Sequence, residues 1–147
     1  MPSQLKLDKT YLEMAQIWAQ LSKAERKKVG CLIVKDGSII SDGYNGTPSG
    51  FENSCEYNPN PNLFHKLITK PEVLHAESNA ITKLSKSTQS SEGSTMYITI
   101  SPCLDCSKLI IQSGIKRVVY KNNYRNLDGV NLLLKANIQV ECYEGKV

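Results

Sequence analysis

The stretch that most limits the possible folds is VGCLIVKDGSIISDGY, residues 29 to 44, in which two β-rich runs meet at an Asp-Gly pair. Asp36 and Gly37 tolerate the positive φ angles of a two-residue turn, so the runs must fold back on each other as a hairpin. Downstream the pattern changes. TMYITI (95–100), KRVVY (116–120) and IQVECY (138–143) alternate with the helical segments SPCLDCSKLIIQSG and LDGVNLLLKA. Strands separated by helices pair in parallel through right-handed crossovers. The sequence therefore predicts an α/β fold with three layers, α/β/α, around a five-stranded mixed sheet whose last two strands are parallel.

Two more helices cover the sheet. Asp8 suits the cap of the first, which runs to about Leu21 with Tyr11, Leu12, Met14, Ala15, Trp18 and Leu21 at helical spacing. The second spans about Leu74 to Ser85 and turns Ala80, Ile81 and Leu84 inward. From Tyr44 to Pro71 the chain is rich in Gly, Pro, Asn and Ser. Connections of that length usually either build a site or move, and this one reads as part of a site. With no internal repeat or linker, the 147 residues are expected to form one domain over 1–147.

Composition narrows the function classes. Hydrophobic residues at 40% and charged residues at 22% exclude a disordered chain. No window approaches the roughly 20 apolar residues of a membrane span, so a soluble, cytoplasmic protein is expected. A formal charge of +4 suits a phosphorylated ligand without marking a nucleic-acid surface. Five cysteines, an odd number, point to thiol or metal chemistry and away from a disulfide framework.

The chemistry concentrates in two short motifs. In SPCLDCSKL, Ser101 suits a helix N-cap and Pro102 the first turn, which places Cys103 and Cys106 three apart on one helix face. The helix N-terminus lowers thiol pKa values and prepares thiolate ligands. A lone CxxC is equally a redox pair or two buried thiols. His75, in VLHAESNA at the start of the second helix, supplies a third donor. One neutral imidazole and two thiolates balance a divalent zinc and leave a fourth position for water, as in catalytic sites. Zinc lowers the pKa of bound water from about 15.7 toward about 7. Glu77, two residues after His75, is then the expected proton carrier, a role worth about 100- to 10,000-fold in rate. Otherwise Glu77 is an exposed glutamate favoured by the helix dipole.

HAE followed by PCLDC resembles the zinc-dependent nucleoside and nucleotide deaminases. Within them, VGCLIVKDGSIISDGYNGTPSGFENSCE is similar to a segment of the deoxycytidylate (dCMP) deaminases. The resemblance implies a cytidine deaminase-like fold and hydrolytic conversion of dCMP to dUMP and ammonia, supplying dUMP for thymidylate synthesis. Attack falls on C4 of the base, and Glu77 protonates N3 and then the departing amine. Backbone at Ala76 and near Ser101 holds the base, Asn45 binds the sugar, and Tyr124 lines the pocket. Arg26 and Arg125 are the phosphate candidates, because a guanidinium fork binds phosphate in bidentate fashion. Gly43, Gly46 and Gly50 would let backbone approach a nucleotide, and Asn45 carries both a donor and an acceptor.

Members of the family are often homohexamers, activated by dCTP with Mg2+ and inhibited by dTTP. That implies an effector near Tyr44, Gly46 and Gly50. Some carry a structural zinc that needs a cysteine before the hairpin. Here that stretch reads SKAERKKVG, and Cys55 and His65 alone cannot close a tetrahedral site. Cys31 and Cys142 lie in expected strands, where a buried thiol is the ordinary role. Two other readings stay open. An editing deaminase on RNA or single-stranded DNA would need stacking aromatics along a strand path, and aromatics are 7%. A non-catalytic, zinc-stabilised interaction module would close the metal site with Cys55, His65 or another residue.

Overall fold

A computed structural model of the chain describes residues 1–60, 62 and 66–143. The elements in order are α1 (Gln4–Ala19), β1 (Gly30–Lys35), β2 (Ser38–Tyr44), β3 (Glu56–Tyr57), β4 (Ile68–Thr69), α2 (Ala76–Lys83), β5 (Thr95–Ile100), α3 (Leu104–Gln112), β6 (Arg117–Asn122), α4 (Asp128–Lys135) and β7 (Gln139–Cys142). A single 3-10 turn, Leu84–Lys86, extends α2.

The main sheet has the order β2-β1-β5-β6-β7. Asp36 (φ 50°) and Gly37 (φ 77°) form the turn between β1 and β2, which pair antiparallel as the Asp-Gly signal required. β1 is also antiparallel to β5, whereas β5, β6 and β7 run parallel. The mixed five-stranded sheet and its parallel last strands match the sequence reading.

Alternation along the strands divides the core in two. Cys31, Ile33, Met96, Ile98, Val118 and Tyr120 pack with Ala76, Ala80, Ile110, Val130 and Leu133 from α2, α3 and α4. The intervening residues Leu32, Val34, Tyr97 and Val119 pack with Leu12 and Ala15 of α1 on the opposite face. Period-two burial thus puts a helix layer on each side of the sheet. Among the described residues, no helix is long and apolar enough to cross a membrane.

Three local expectations are corrected. Ser3, not Asp8, caps α1, and its hydroxyl accepts from the Lys6 backbone N–H at 3.2 Å. Asp8 lies one turn inside α1 and is buried, because Arg117 and Tyr97 across the sheet supply donors to its carboxylate. α1 also ends at Ala19, and Met14 and Leu21 face outward, since the sheet covers only a narrow stripe of the helix. Finally, α3 starts after Cys103 and not after Ser101, so the thiol itself occupies the cap.

Candidate metal centre

Two helix starts meet at one point. Gly46 and Leu74 form an antiparallel bridge, with N–H to carbonyl distances of 3.0 and 2.8 Å, which fixes the backbone just before His75. Gly43 lies beneath the start of α2 so closely that a Cβ there would be 2.3 Å from the Ala76 carbonyl oxygen. The glycine is therefore a packing requirement between strand and helix, a role that no local sequence pattern announces. His75 is the N-cap residue of α2 and Cys103 that of α3.

His75 Nδ1 lies 3.5 Å from Cys103 Sγ and 3.3 Å from Cys106 Sγ. All three donor atoms fall within 4.8 Å of one another. An ion held tetrahedrally by zinc–sulfur bonds of about 2.3 Å and zinc–nitrogen bonds of about 2.0 Å would place each sulfur roughly 3.5 Å from the nitrogen. The donor set and its spacing therefore fit zinc. Cys103 also accepts the Cys106 backbone N–H at 3.5 Å. Hydrogen bonds from the Cys106 thiol and the His75 imidazole hold the Cys103 thiol far below its usual range. The Cys106 thiol is pushed up, chiefly by its hydrogen bond to Cys103 and then by burial. His75 is raised by its hydrogen bond to Cys103 against the opposing effect of burial.

Glu77 is only 4% exposed, which rules out the exposed helix-start reading. Its pKa is raised by burial, with its own backbone N–H and the nearby imidazole pulling the other way. A carboxylate whose pKa is raised in this way is a better proton acceptor than an exposed one.

His75, Ala76, Glu77 and Cys103 line a cavity of about 310 Å³, within the range of small-molecule sites. Arg26, Asn45, Ser101, Tyr124 and Arg125 line the same cavity. Asn45 is more engaged than expected, since its Oδ1 accepts from the Val29 N–H at 2.9 Å and its Nδ2 donates to the Lys27 carbonyl at 2.7 Å. Ser101 Oγ accepts from the Tyr124 N–H at 2.7 Å and so fixes the backbone that carries Tyr124.

Lys27, Glu56 and Thr69 also line the cavity and were not singled out in the sequence. Lys27 could have been found beside Arg26 in the basic run ERKK. Glu56 and Thr69 belong to two-residue strands that leave no periodic trace. Cys55, 1% exposed, is part of the wall. His65, considered with it for a second metal, lies outside the described residues. Cys31 is fully buried and Cys142 half-buried. Tyr44 and Gly46 line a separate cavity of about 400 Å³, while Gly50 lies outside it.

Comparison with known proteins agrees with this geometry. The family model for the cytidine and deoxycytidylate deaminase zinc-binding region matches residues 5–122. The deoxycytidylate deaminase of Enterobacteria phage T4 is 38% identical over 89% of this chain and 86% of its own length. That of Schizosaccharomyces pombe is 34% identical over 92% of this chain and 44% of its own length. The crystal structure of the dCMP deaminase from cyanophage S-TIM5, in complex with dCMP and dUMP, superposes with a TM-score of 0.86. It is 42% identical and covers 96% of this chain and 99% of that one.

Proposed function

Since the chain belongs to the cytidine and deoxycytidylate deaminase zinc-binding family, we propose that it hydrolyses dCMP to dUMP and ammonia and so supplies dUMP for thymidylate synthesis. The observation that carries this reading is the grouping of His75, Cys103 and Cys106 at the wall of one cavity, lined by His75, Cys103 and the buried Glu77 and also by Arg26, Lys27 and Arg125. A reactive centre and a cationic rim in one pocket suit a substrate with a reactive base at one end and a phosphate at the other.

His75, Cys103 and Cys106 would hold the zinc, which when bound would supply an activated water. The chain's own part is proton transfer and orientation. Glu77 takes the proton of that water, delivers it to N3 of the ring and passes the next to the departing amine. Burial serves this role, because a carboxylate whose pKa is raised is a better base for the proton of the water. Backbone at Ala76 and Ser101 holds the base, Tyr124 flanks it, and Asn45 meets the sugar while bracing residues 27 to 29. The cationic rim receives the phosphate.

The chain acts as one domain over 1–147, in the cytoplasm, as a homohexamer whose Tyr44–Gly50 loop responds to dCTP with Mg2+ and to dTTP. Ammonia release from cytidine, CMP, dCMP and dCTP by the zinc-loaded protein tests the substrate. No release from dCMP, with or without dCTP and Mg2+, overturns the proposal. Turnover of an oligonucleotide in preference to dCMP favours an editing deaminase. Sedimentation with and without dCTP tests the regulated assembly, and an unchanged particle with hyperbolic kinetics argues for an unregulated enzyme.

A further inference from the structure

Three cations line the cavity, and they are held very differently. Arg125 lies in an exposed loop, and neither its side chain nor that of Lys27 makes a hydrogen bond or ion pair that fixes it among the described residues. Arg26 is gripped at both ends. Glu56, 8% exposed, accepts the Glu25 N–H on Oε1 at 3.1 Å and on Oε2 at 2.9 Å, and the Arg26 N–H on Oε2 at 2.8 Å. At the tip, one terminal guanidinium nitrogen of Arg26 donates to Thr69 Oγ1 at 3.3 Å. Glu56 and Thr69 are register partners in the β3–β4 pair, so a single rung of a two-strand ribbon holds both the backbone and the head of one arginine.

The location makes this grip informative. Residues 22 to 29 have no helix or strand of their own, so an arginine there would have to lose backbone and side-chain freedom on meeting a ligand. A clamp that imposes the loss beforehand lowers the cost of binding. Asn45 braces the same segment from its other end, through Lys27 and Val29. A carboxylate in the wall of a phosphate pocket would by itself repel the ligand. Glu56 directs both oxygens at backbone N–H groups, which makes sense of its presence there, and Arg26 keeps four of its five N–H donors for a ligand.

We propose that Arg26 is the residue that distinguishes a nucleoside monophosphate from a nucleoside, and that the Glu56–Thr69 rung is its positioning device. The inference rests on the deaminase reading above. It assigns the phosphate to Arg26 and leaves Arg125 a subsidiary contact.

The test is the ratio of kcat/KM for dCMP to kcat/KM for deoxycytidine, measured on the zinc-loaded enzyme. Arg26→Ala lowers this ratio by about a hundredfold, and Arg125→Ala lowers it less. Glu56→Gln lowers it by about tenfold through KM for dCMP, because the amide nitrogen that replaces either oxygen is a donor set against the Glu25 N–H, which both carboxylate oxygens accept. If Glu56 acted only through its charge, the same substitution would raise the ratio, so the sign separates the two roles. Thr69→Val, at an exposed position that does not endanger folding, lowers the ratio about twofold to threefold. In an Arg26→Ala background, Glu56→Gln has no further effect, since the clamp then has nothing to position.

Dissociation constants for dUMP and deoxyuridine supply a readout independent of turnover and follow the same order. A ratio unchanged or raised in Glu56→Gln, an additive double variant, or a larger loss in Arg125→Ala than in Arg26→Ala overturns the inference while leaving the deaminase reading intact. If Glu56→Gln does not fold, Thr69→Val decides, and an unchanged ratio there overturns the clamp. A wild-type enzyme that does not turn over dCMP removes both.

Discussion

Asp8 and Glu77 are carboxylates at almost the same depth, 3% and 4% exposed, on opposite faces of one sheet, and their environments drive them in opposite directions. Asp8 receives the Arg117 guanidinium at 2.9 and 2.6 Å, the Tyr97 hydroxyl at 2.6 Å and the Gln4 amide at 2.9 Å. Burial alone would raise its pKa. The donors from Arg117, Tyr97 and Gln4 reverse that effect and hold the group below the usual carboxylate range. Arg117 is shared with Glu141 at 2.9 Å, which completes a brace linking α1, β5, β6 and β7. Around Glu77 burial prevails, and the pKa rises. Depth does not decide whether a buried acid is a strut or a reagent. The number of donors aimed at it does.

The sharpest way to break that contrast is to neutralise each acid or remove its partner. Glu77→Gln should lower ammonia release from dCMP by about 100- to 10,000-fold while zinc content and melting temperature hold, as metal analysis and calorimetry would show. Coupled loss of zinc and fold would return Glu77 to the class of struts. Arg117→Met should have the opposite profile. It leaves Asp8 buried without its cation and costs about 3–5 kcal/mol of stability in urea titration, with little change in turnover per folded molecule.

Acid adds a check of sign. The folded-state pKa of Asp8 lies below the ordinary value of 3.8, so the stability it contributes is complete above that value and fades as pH falls through the lower one. Wild type and Asp8→Asn should therefore differ most near neutrality and converge in strong acid.

Two smaller substitutions sharpen the comparison. Gly43→Ala puts a Cβ against the backbone of α2 where His75 and Glu77 begin, and should cost about 1–3 kcal/mol together with a disproportionate loss of activity. Ser3→Ala removes the cap of α1, on the strut face, and should cost about 1 kcal/mol with kcat unchanged. An activity loss in Ser3→Ala would mean that the two faces are coupled.

Whatever depends on neighbours in the chain was legible in the sequence. The Asp-Gly turn, the alternation of strand and helix, and the spacing of HAE and PCLDC are local patterns, and the two-residue and 3.6-residue periods translate them directly into hairpin, crossovers and ligand-bearing helix starts. Even so, the helix cap was displaced by two residues, from Ser101 to Cys103, because a thiol that accepts the Cys106 N–H serves the helix and the metal site at once. Asp8 suited a cap by type and spacing. What overrode that signal is Arg117, 109 positions away in the chain.

The sequence by itself determined the sheet, the His75, Cys103 and Cys106 group that fits zinc, and the acid two residues after His75. Only the tertiary structure decided that Glu77 is buried, that the start of α2 packs on Gly43, and that Glu56 and Thr69 belong with Arg26. Periodicity records which face of an element is covered, but burial and hydrogen-bond partners are set by elements distant in the chain. No spacing rule connects residue 26 to residues 56 and 69 until folding lays one rung of a two-strand ribbon against that segment.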